Sequence, residues 1–192
     1  RDMKSSPLRS GISAAGTSSM TMGDSSAAVS TASFLSISDH EKFHNQSFTL
    51  EFMLKLPEGY HPTWRFIVDK PFARAGIFTD SKSMFQLVLA GNKDTQVNYL
   101  QASIALNSGS EYVSSQNYAN VCDGQWHHIA VVVDGEEKKM RLYVDKTAGT
   151  TATYSGELYY DDCMPMTFGA GPERYYGSFA GCIDEIRISD EV

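Results

Sequence analysis

The sequence predicts an all-β protein built as a two-sheet antiparallel sandwich of the jelly-roll kind. Apolar and polar residues alternate with a period of two in segment after segment, and turn signals separate those segments. No stretch sustains a 3.6-residue period over three turns, so helices contribute essentially nothing. Uneven strand lengths and connections favour a sandwich over a closed barrel.

Residues 1–26 are rich in Ser, Gly and Ala and suit either a linker or a polar edge strand around Ser13–Met22. The two-fold rhythm begins at Ala27, which opens a domain over 27–192. Ser38–Phe43 is expected to form one helical turn capped by Ser38 or Asp39. Phe48, Leu50, Phe52, Leu54 and Leu56 then share one face of a strand, while Thr49, Glu51, Met53 and Lys55 take the other. Trp64, Phe66 and Val68 alternate with Arg65, Ile67 and Asp69. Phe85, Leu87 and Leu89 form the next row, followed by Leu100, Ala102, Ile104 and Leu106. Trp126–Asp134 is an apolar, β-branched run that predicts a central strand buried on both faces. Asp134-Gly135 starts a polar turn in which Gly135 is expected at positive φ, and Met140, Leu142 and Val144 resume the alternation. Further strands are expected at Thr151–Tyr160, Pro165–Ala170 and Phe179–Ser189.

The 192 residues are enough for one domain with a well-buried core. A formal charge of −7 and a pI near 5.1 exclude a nucleic-acid footprint, which needs clustered Lys and Arg. The longest apolar run, Ile129–Val133, is strand-sized, so no membrane insertion is expected. The sequence starts at Arg1 with no signal peptide, as a processed protein or excised module would. Cys122, Cys163 and Cys182 match no zinc spacing; one disulfide with a free thiol and three reduced thiols both fit.

Specific stretches resemble a known family. They are Asp123–Asp134 (DGQWHHIAVVVD), Arg141–Asp145 (RLYVD) and Phe179–Ile188 (FAGCIDEIRI), with Ser47–Phe52 and Met166–Ala170 in support. In this order they resemble the laminin-G-like jelly rolls of the concanavalin A-like lectin and glucanase superfamily, over about Ala27 to Ser189. The resemblance implies two sheets packed face to face and relatives that include glycan-binding modules, lectin-like domains of sialidases, pentraxin-like calcium binders and adhesion domains. Met53 stands where the family often has Trp, Lys146 where it has Gly, and a Phe-Asp-Gly step is missing from Ala28–Ile37. The further Cys of laminin domains is absent too, so the resemblance leans to the bacterial lectin-like branch.

The glucanase carboxylate pair, Glu-x-Asp-x-x-Glu on one strand face, does not occur, and neither do sialidase Asp boxes, serine-hydrolase elbows or phosphate loops. The expected function is therefore a non-catalytic carbohydrate-binding module, secreted, periplasmic or on a cell surface, and accessory to a glycoside hydrolase such as a sialidase. A protein-interaction or adhesion domain and a structural spacer are the alternatives. A glycan is the expected partner, with a neighbouring catalytic domain or another protein next. Ten Tyr and two Trp exceed what a core needs, because each Tyr hydroxyl wants a partner. Candidate binding residues are Trp64, Tyr99, Tyr112, Tyr118 and the doublets Tyr159-Tyr160 and Tyr175-Tyr176, one ring of each doublet facing outward. Arg74 and Arg174, in expected loops, suit an acidic sugar. His127 and His128 point to opposite faces and are assigned to packing and hydrogen bonding. The resemblance also raises a structural calcium at Asp184, with Asp24 or the Gly23 carbonyl contributing. The competing reading is that Asp184 and Glu185 pair with Arg187 or a neighbouring strand. Asn45-Gln-Ser47 fits a glycosylation sequon.

Overall fold

The alternation dictates strands, and a computed structural model contains them. It describes residues 20–22, 34–62, 64–71, 83–107, 109, 111–160, 164–169, 180–190 and 192, with backbone only for 20–22 and 42. In chain order the strands are β1 (Met20–Met22), β2 (Leu35–Ile37), β3 (Phe48–Lys55), β4 (Arg65–Pro71), β5 (Ser83–Asn92) and β6 (Val97–Leu106). They continue with β7 (Glu111–Asn117), β8 (Trp126–Asp134), β9 (Lys139–Val144), β10 (Thr147–Thr153), β11 (Met166–Phe168) and β12 (Gly181–Ser189). The strands form two antiparallel sheets, ordered β1-β12-β3-β8-β9-β10 and β2-β11-β4-β5-β6-β7. Among the described residues the helical content is one 3-10 turn, Glu41–Phe43. Asp39 does not simply cap that turn: its carboxylate bonds His44 and the buried Lys70.

The inner rows form the core expected from sequence. Leu50, Phe52 and Leu54 lie opposite Val131, Ile129 and His127 in register. Leu87, Leu89, Leu100, Ala102 and Ile104 belong to the same buried cluster from the second sheet. Burying each such Leu, Ile or Phe contributes about 1.5–3 kcal/mol, which is why the alternation specifies register so strongly. Lys70 breaks the pattern. It stands opposite Phe85, is 1% exposed, and donates to Asp39 and, at 2.9 Å, to the Met164 carbonyl.

The structure corrects several expectations. β4 carries a register shift between Phe66 and Val68. The shift leaves Ile67 and Val68 together in the core cluster and puts Phe66 opposite Val88 on the other face. β8 is central but buried chiefly on one face: Ile129, Val131 and Val133 are fully covered, whereas Trp126 is 39% exposed. Gly135 is not among the positive-φ residues; that conformation falls to Lys138, at φ 51. Glycine is needed at 135 for space, since a Cβ there would lie 2.5 Å from the Gln46 carbonyl oxygen. The strand expected through Tyr160 ends at Thr153, so the Tyr159-Tyr160 doublet is not extended strand.

β7 is not apparent in the alternation because, beyond Val113, its buried inner positions are polar. Ser115 and Asn117 are 0% and 2% exposed. Ser115 Oγ donates to Thr150 O at 2.5 Å and accepts from Leu142 N at 3.0 Å. Asn117 Nδ2 donates to Leu142 O and Thr147 O, at 3.2 and 2.8 Å. These side chains satisfy backbone groups of the facing sheet, so a polar strand is stable inside the sandwich. They also fix the edge strand whose outer face carries the site described next.

Candidate functional site

The outward positions of β6 are Val97, Tyr99, Gln101, Ser103 and Ala105; those of β7 are Tyr112, Ser114 and Gln116, continued by Tyr118. Register sets Gln101 against Gln116, Ser103 against Ser114 and Ala105 against Tyr112. On the other side of β6, Ala90 stands opposite Tyr99. A small residue across from each tyrosine leaves room for the ring to lie over the sheet.

A hydrogen-bond chain runs along this face. Tyr118 OH donates to Gln116 Oε1 at 2.9 Å, Gln116 Nε2 to Gln101 Oε1 at 2.8 Å, and Gln101 Nε2 to Ser103 Oγ at 3.4 Å. Ser103 Oγ lies 2.7 Å from Ser114 Oγ. The Tyr99 and Tyr118 rings pack with centroids 5.1 Å apart at 31°. Burial, with the Tyr118 phenol adding to it, raises the pKa of Tyr99 and keeps it a neutral donor and acceptor. The chain orients the amides, yet each retains bonding capacity, since an amide carries two donors and two lone pairs. Ser103 is 2% exposed and anchors the chain from beneath, so the rings and the two glutamine amides are what the face offers a ligand with an apolar face edged by polar groups.

Tyr118 also lines a cleft of about 400 Å³ at the end of this face, walled by Glu58, Tyr60, Gln96, Asn98 and Asp123 among others. Asn98 fixes one wall. Its Oδ1 accepts from His61 N at 2.9 Å, and its Nδ2 donates to His61 O and Ala90 O at 2.9 and 3.1 Å. Gly91 is required beneath the same loop, because a Cβ there would lie 2.3 Å from His61 O. Another part of the lining is fixed by charge: His127 Nε2 is 3.0 Å from Asp123 Oδ1 and its Nδ1 is 3.0 Å from Asp145 Oδ2. Burial pulls the His127 pKa down, but hydrogen bonds to Asp145 and Asp123, and their charges, outweigh it and leave the pKa raised. The His127 hydrogen bond in turn holds Asp123 and Asp145 below the ordinary carboxylate range. His128, on the opposite face, reaches Glu51 at 3.2 Å, and Glu51 pairs with Arg187 at 2.8 Å. Both histidines therefore serve hydrogen bonding, as the sequence suggested. Arg187 pairs with Glu51, and the Asp184 side chain caps the Glu185 amide at 2.8 Å.

The structure brings Tyr99, Tyr112 and Tyr118 onto one face, although six residues of strand separate Tyr112 from Tyr118 by about 20 Å. Trp64 is 39% exposed just before β4. Tyr160 is half-buried: it stacks on His44 with centroids 5.2 Å apart and donates to the Asn45 carbonyl, and burial pushes its hydroxyl above the ordinary phenol range. Its hydroxyl is thus engaged within the fold; Tyr159 is partly exposed. Arg74, Arg174, Tyr175, Tyr176, Asp24 and Cys163 lie outside the described residues. Among the described residues no three His, Cys, Asp or Glu side chains gather to hold a metal. Cys122 is a buried free thiol, pushed up to about 11 by burial and then by the Asp123 charge. Gln101, Ser103, Ser114 and Gln116 are the site residues that sequence reading missed. The signal for Gln101 and Ser103 is the polar half of the alternation in β6; Ser114 and Gln116 lie on β7, which the alternation does not mark.

Comparison with known proteins gives the same fold. Residues 5–192 match the laminin-G-type model described as concanavalin A-like lectin/glucanases superfamily. No curated protein matches the chain in sequence. Among solved structures, the CBM40 of the Ruminococcus gnavus IT-sialidase, bound to α2,3 sialyllactose, superposes with a TM-score of 0.64 at 12% identity. That match covers 91% of this chain and 90% of that one. Domain 4 of an extracellular arabinanase from Geobacillus stearothermophilus, in complex with arabinotriose, gives 0.55 at 17% identity over 83% of this chain and 67% of that one. The LG4-5 domains of the mouse laminin α1 chain give 0.56 at 15% identity, covering 90% of this chain and 41% of that one.

Proposed function

We propose that this chain, which belongs to the concanavalin A-like lectin/glucanases superfamily, is a non-catalytic carbohydrate-binding module whose site is the outer face of β6 and β7. The observation that carries the reading is the Tyr99–Tyr118 ring pair joined to the Gln116, Gln101 and Ser103 side chains by consecutive hydrogen bonds. A pyranose or furanose ring has C–H faces that stack on tyrosine and a rim of hydroxyls that amides and hydroxyls recognise. The face presents both within one strand pair, and its amides are already oriented, which lowers the entropy cost of binding. Neighbours that share the fold and were solved with sialyllactose or arabinotriose support the reading of the class, not of the sugar. In this reading the module works outside the cell, as an accessory to a glycoside hydrolase.

A glycan-array screen of the purified domain tests it, followed by titration of the best-bound oligosaccharide against Tyr118→Ala and Gln101→Ala. Tyr118 is 57% exposed, so its loss leaves the core intact. Removing the ring is expected to weaken binding by about 5- to 10-fold, the size of a stacking contact near 1–1.5 kcal/mol. Unchanged affinity in both variants would take this face out of the site, and a folded domain that binds no glycan would shift the reading to a protein partner.

A further inference from the structure

We propose that the cleft beside the tyrosine pair takes an uncharged sugar unit and rejects a carboxylated one. The inference rests on the carbohydrate reading above and adds the class of ligand. Among the described residues lining the cleft, the charged side chains are Glu58 and Asp123, and neither Lys nor Arg is present. Asp123 stays ionised, because the hydrogen bond from His127 holds its carboxyl low. His127 does not cancel this charge: it is shared with a second carboxylate, Asp145, at 3.0 Å. Two carboxylates around one imidazolium leave the trio net negative, and Glu58 adds to it from the neighbouring segment, where Gly59 N donates to Cys122 O at 3.2 Å. The protein's overall charge of −7 reinforces the sign of the local field.

The remaining lining is built for hydroxyls. Asn120, Gln96 and Tyr118 supply neutral donors and acceptors. Amides and a phenol of this kind match a ligand rich in hydroxyl groups, each of which can donate and accept. The cleft is also pre-formed, since Asn98 pins the loop at His61 and the Asp123 wall is tied to His127. Its volume of about 400 Å³ lies within the range of small-ligand sites. Tyr118 belongs to both the cleft and the ring pair, so one oligosaccharide can stack on the face and place its terminal unit in the cleft.

The test uses matched pairs on one array: oligosaccharides ending in galactose, glucose or arabinose, the corresponding galacturonate- and glucuronate-ended chains, and sialyllactose. The domain is expected to bind at least one neutral chain 10-fold or more tighter than its carboxylated counterpart at low salt, with the gap narrowing as salt rises. Glu58→Gln, at an exposed position, is expected to strengthen binding of the carboxylated chain more than that of the neutral one. Equal or tighter binding of the carboxylated chains would overturn the inference and leave the carbohydrate reading intact. Absence of binding to every chain by a folded domain would overturn both.

Discussion

Replacing Asn98 should loosen the wall of the cleft and cost measurable stability. Its side chain is 8% exposed and makes three hydrogen bonds, accepting from His61 N and donating to His61 O and Ala90 O. Each net hydrogen bond is worth about 0.5–1.5 kcal/mol, and a buried group left unpaired costs about 1–3 kcal/mol. His61 is only partly buried and can regain water, which moderates the loss. Asn98→Ala should therefore destabilise the domain by about 2–3 kcal/mol. Asn98→Asp should be at least as damaging at neutral pH, because it keeps the acceptor for His61 N but turns a carboxylate towards two carbonyl oxygens. Equilibrium unfolding in urea measures both, with the slope unchanged and the midpoint lowered. An Asn98→Ala change below about 0.5 kcal/mol, or an Asp variant more stable than the Ala variant, would refute the clamp.

The remaining predictions concern close packing and pH. Gly135→Ala should destabilise by about 1–3 kcal/mol, because its Cβ would meet the Gln46 carbonyl at 2.5 Å; a neutral effect in thermal unfolding would show that the turn moves aside. Burial pushes Asp69 up to about 7 against a hydrogen bond from Ser83, so the folded state keeps this proton after the unfolded chain has lost it. Stability then falls as pH rises from about 4 towards 7. His127 acts in the same direction at higher pH: its raised pKa gives a contribution that is complete below the ordinary imidazole value and lost as pH rises through the folded one. Asp123 and Asp145 act oppositely, their contribution being present above the ordinary carboxylate value and lost as pH falls through the depressed ones. Urea midpoints should peak in mild acid, and Asp69→Asn should flatten the decline between about pH 4 and 7; an unchanged decline would clear Asp69 as its source.

The core was legible because burial enforces a period of two: Leu50, Phe52 and Leu54, or Leu87 and Leu89, can face only one way in their strands. What escaped the alternation is what that rule does not govern. A register shift at Phe66 moves its ring to the other face without any local sequence mark. β7 hides because Ser115 and Asn117 are buried by virtue of the backbone groups they satisfy across the sandwich, which is a tertiary fact. The site was half legible. The excess of tyrosine pointed to Tyr99, Tyr112 and Tyr118, but not to the glutamine and serine side chains that only strand register brings beside them. Composition alone did not say which ring of the Tyr159-Tyr160 doublet turns inward; the Tyr160 hydroxyl is used inside the fold. Paired histidines were read correctly because adjacency on a strand alone forbids a shared site.

The central claim, that a glycan lies on the outer face of β6 and β7, is tested most directly by amide and side-chain NMR shifts during titration with the best-bound oligosaccharide. The account predicts perturbations concentrated at Tyr99, Gln101, Gln116 and Tyr118, including the side-chain amides of both glutamines. Perturbations confined to the opposite sheet, around Arg141 and Tyr143 on β9, would contradict it.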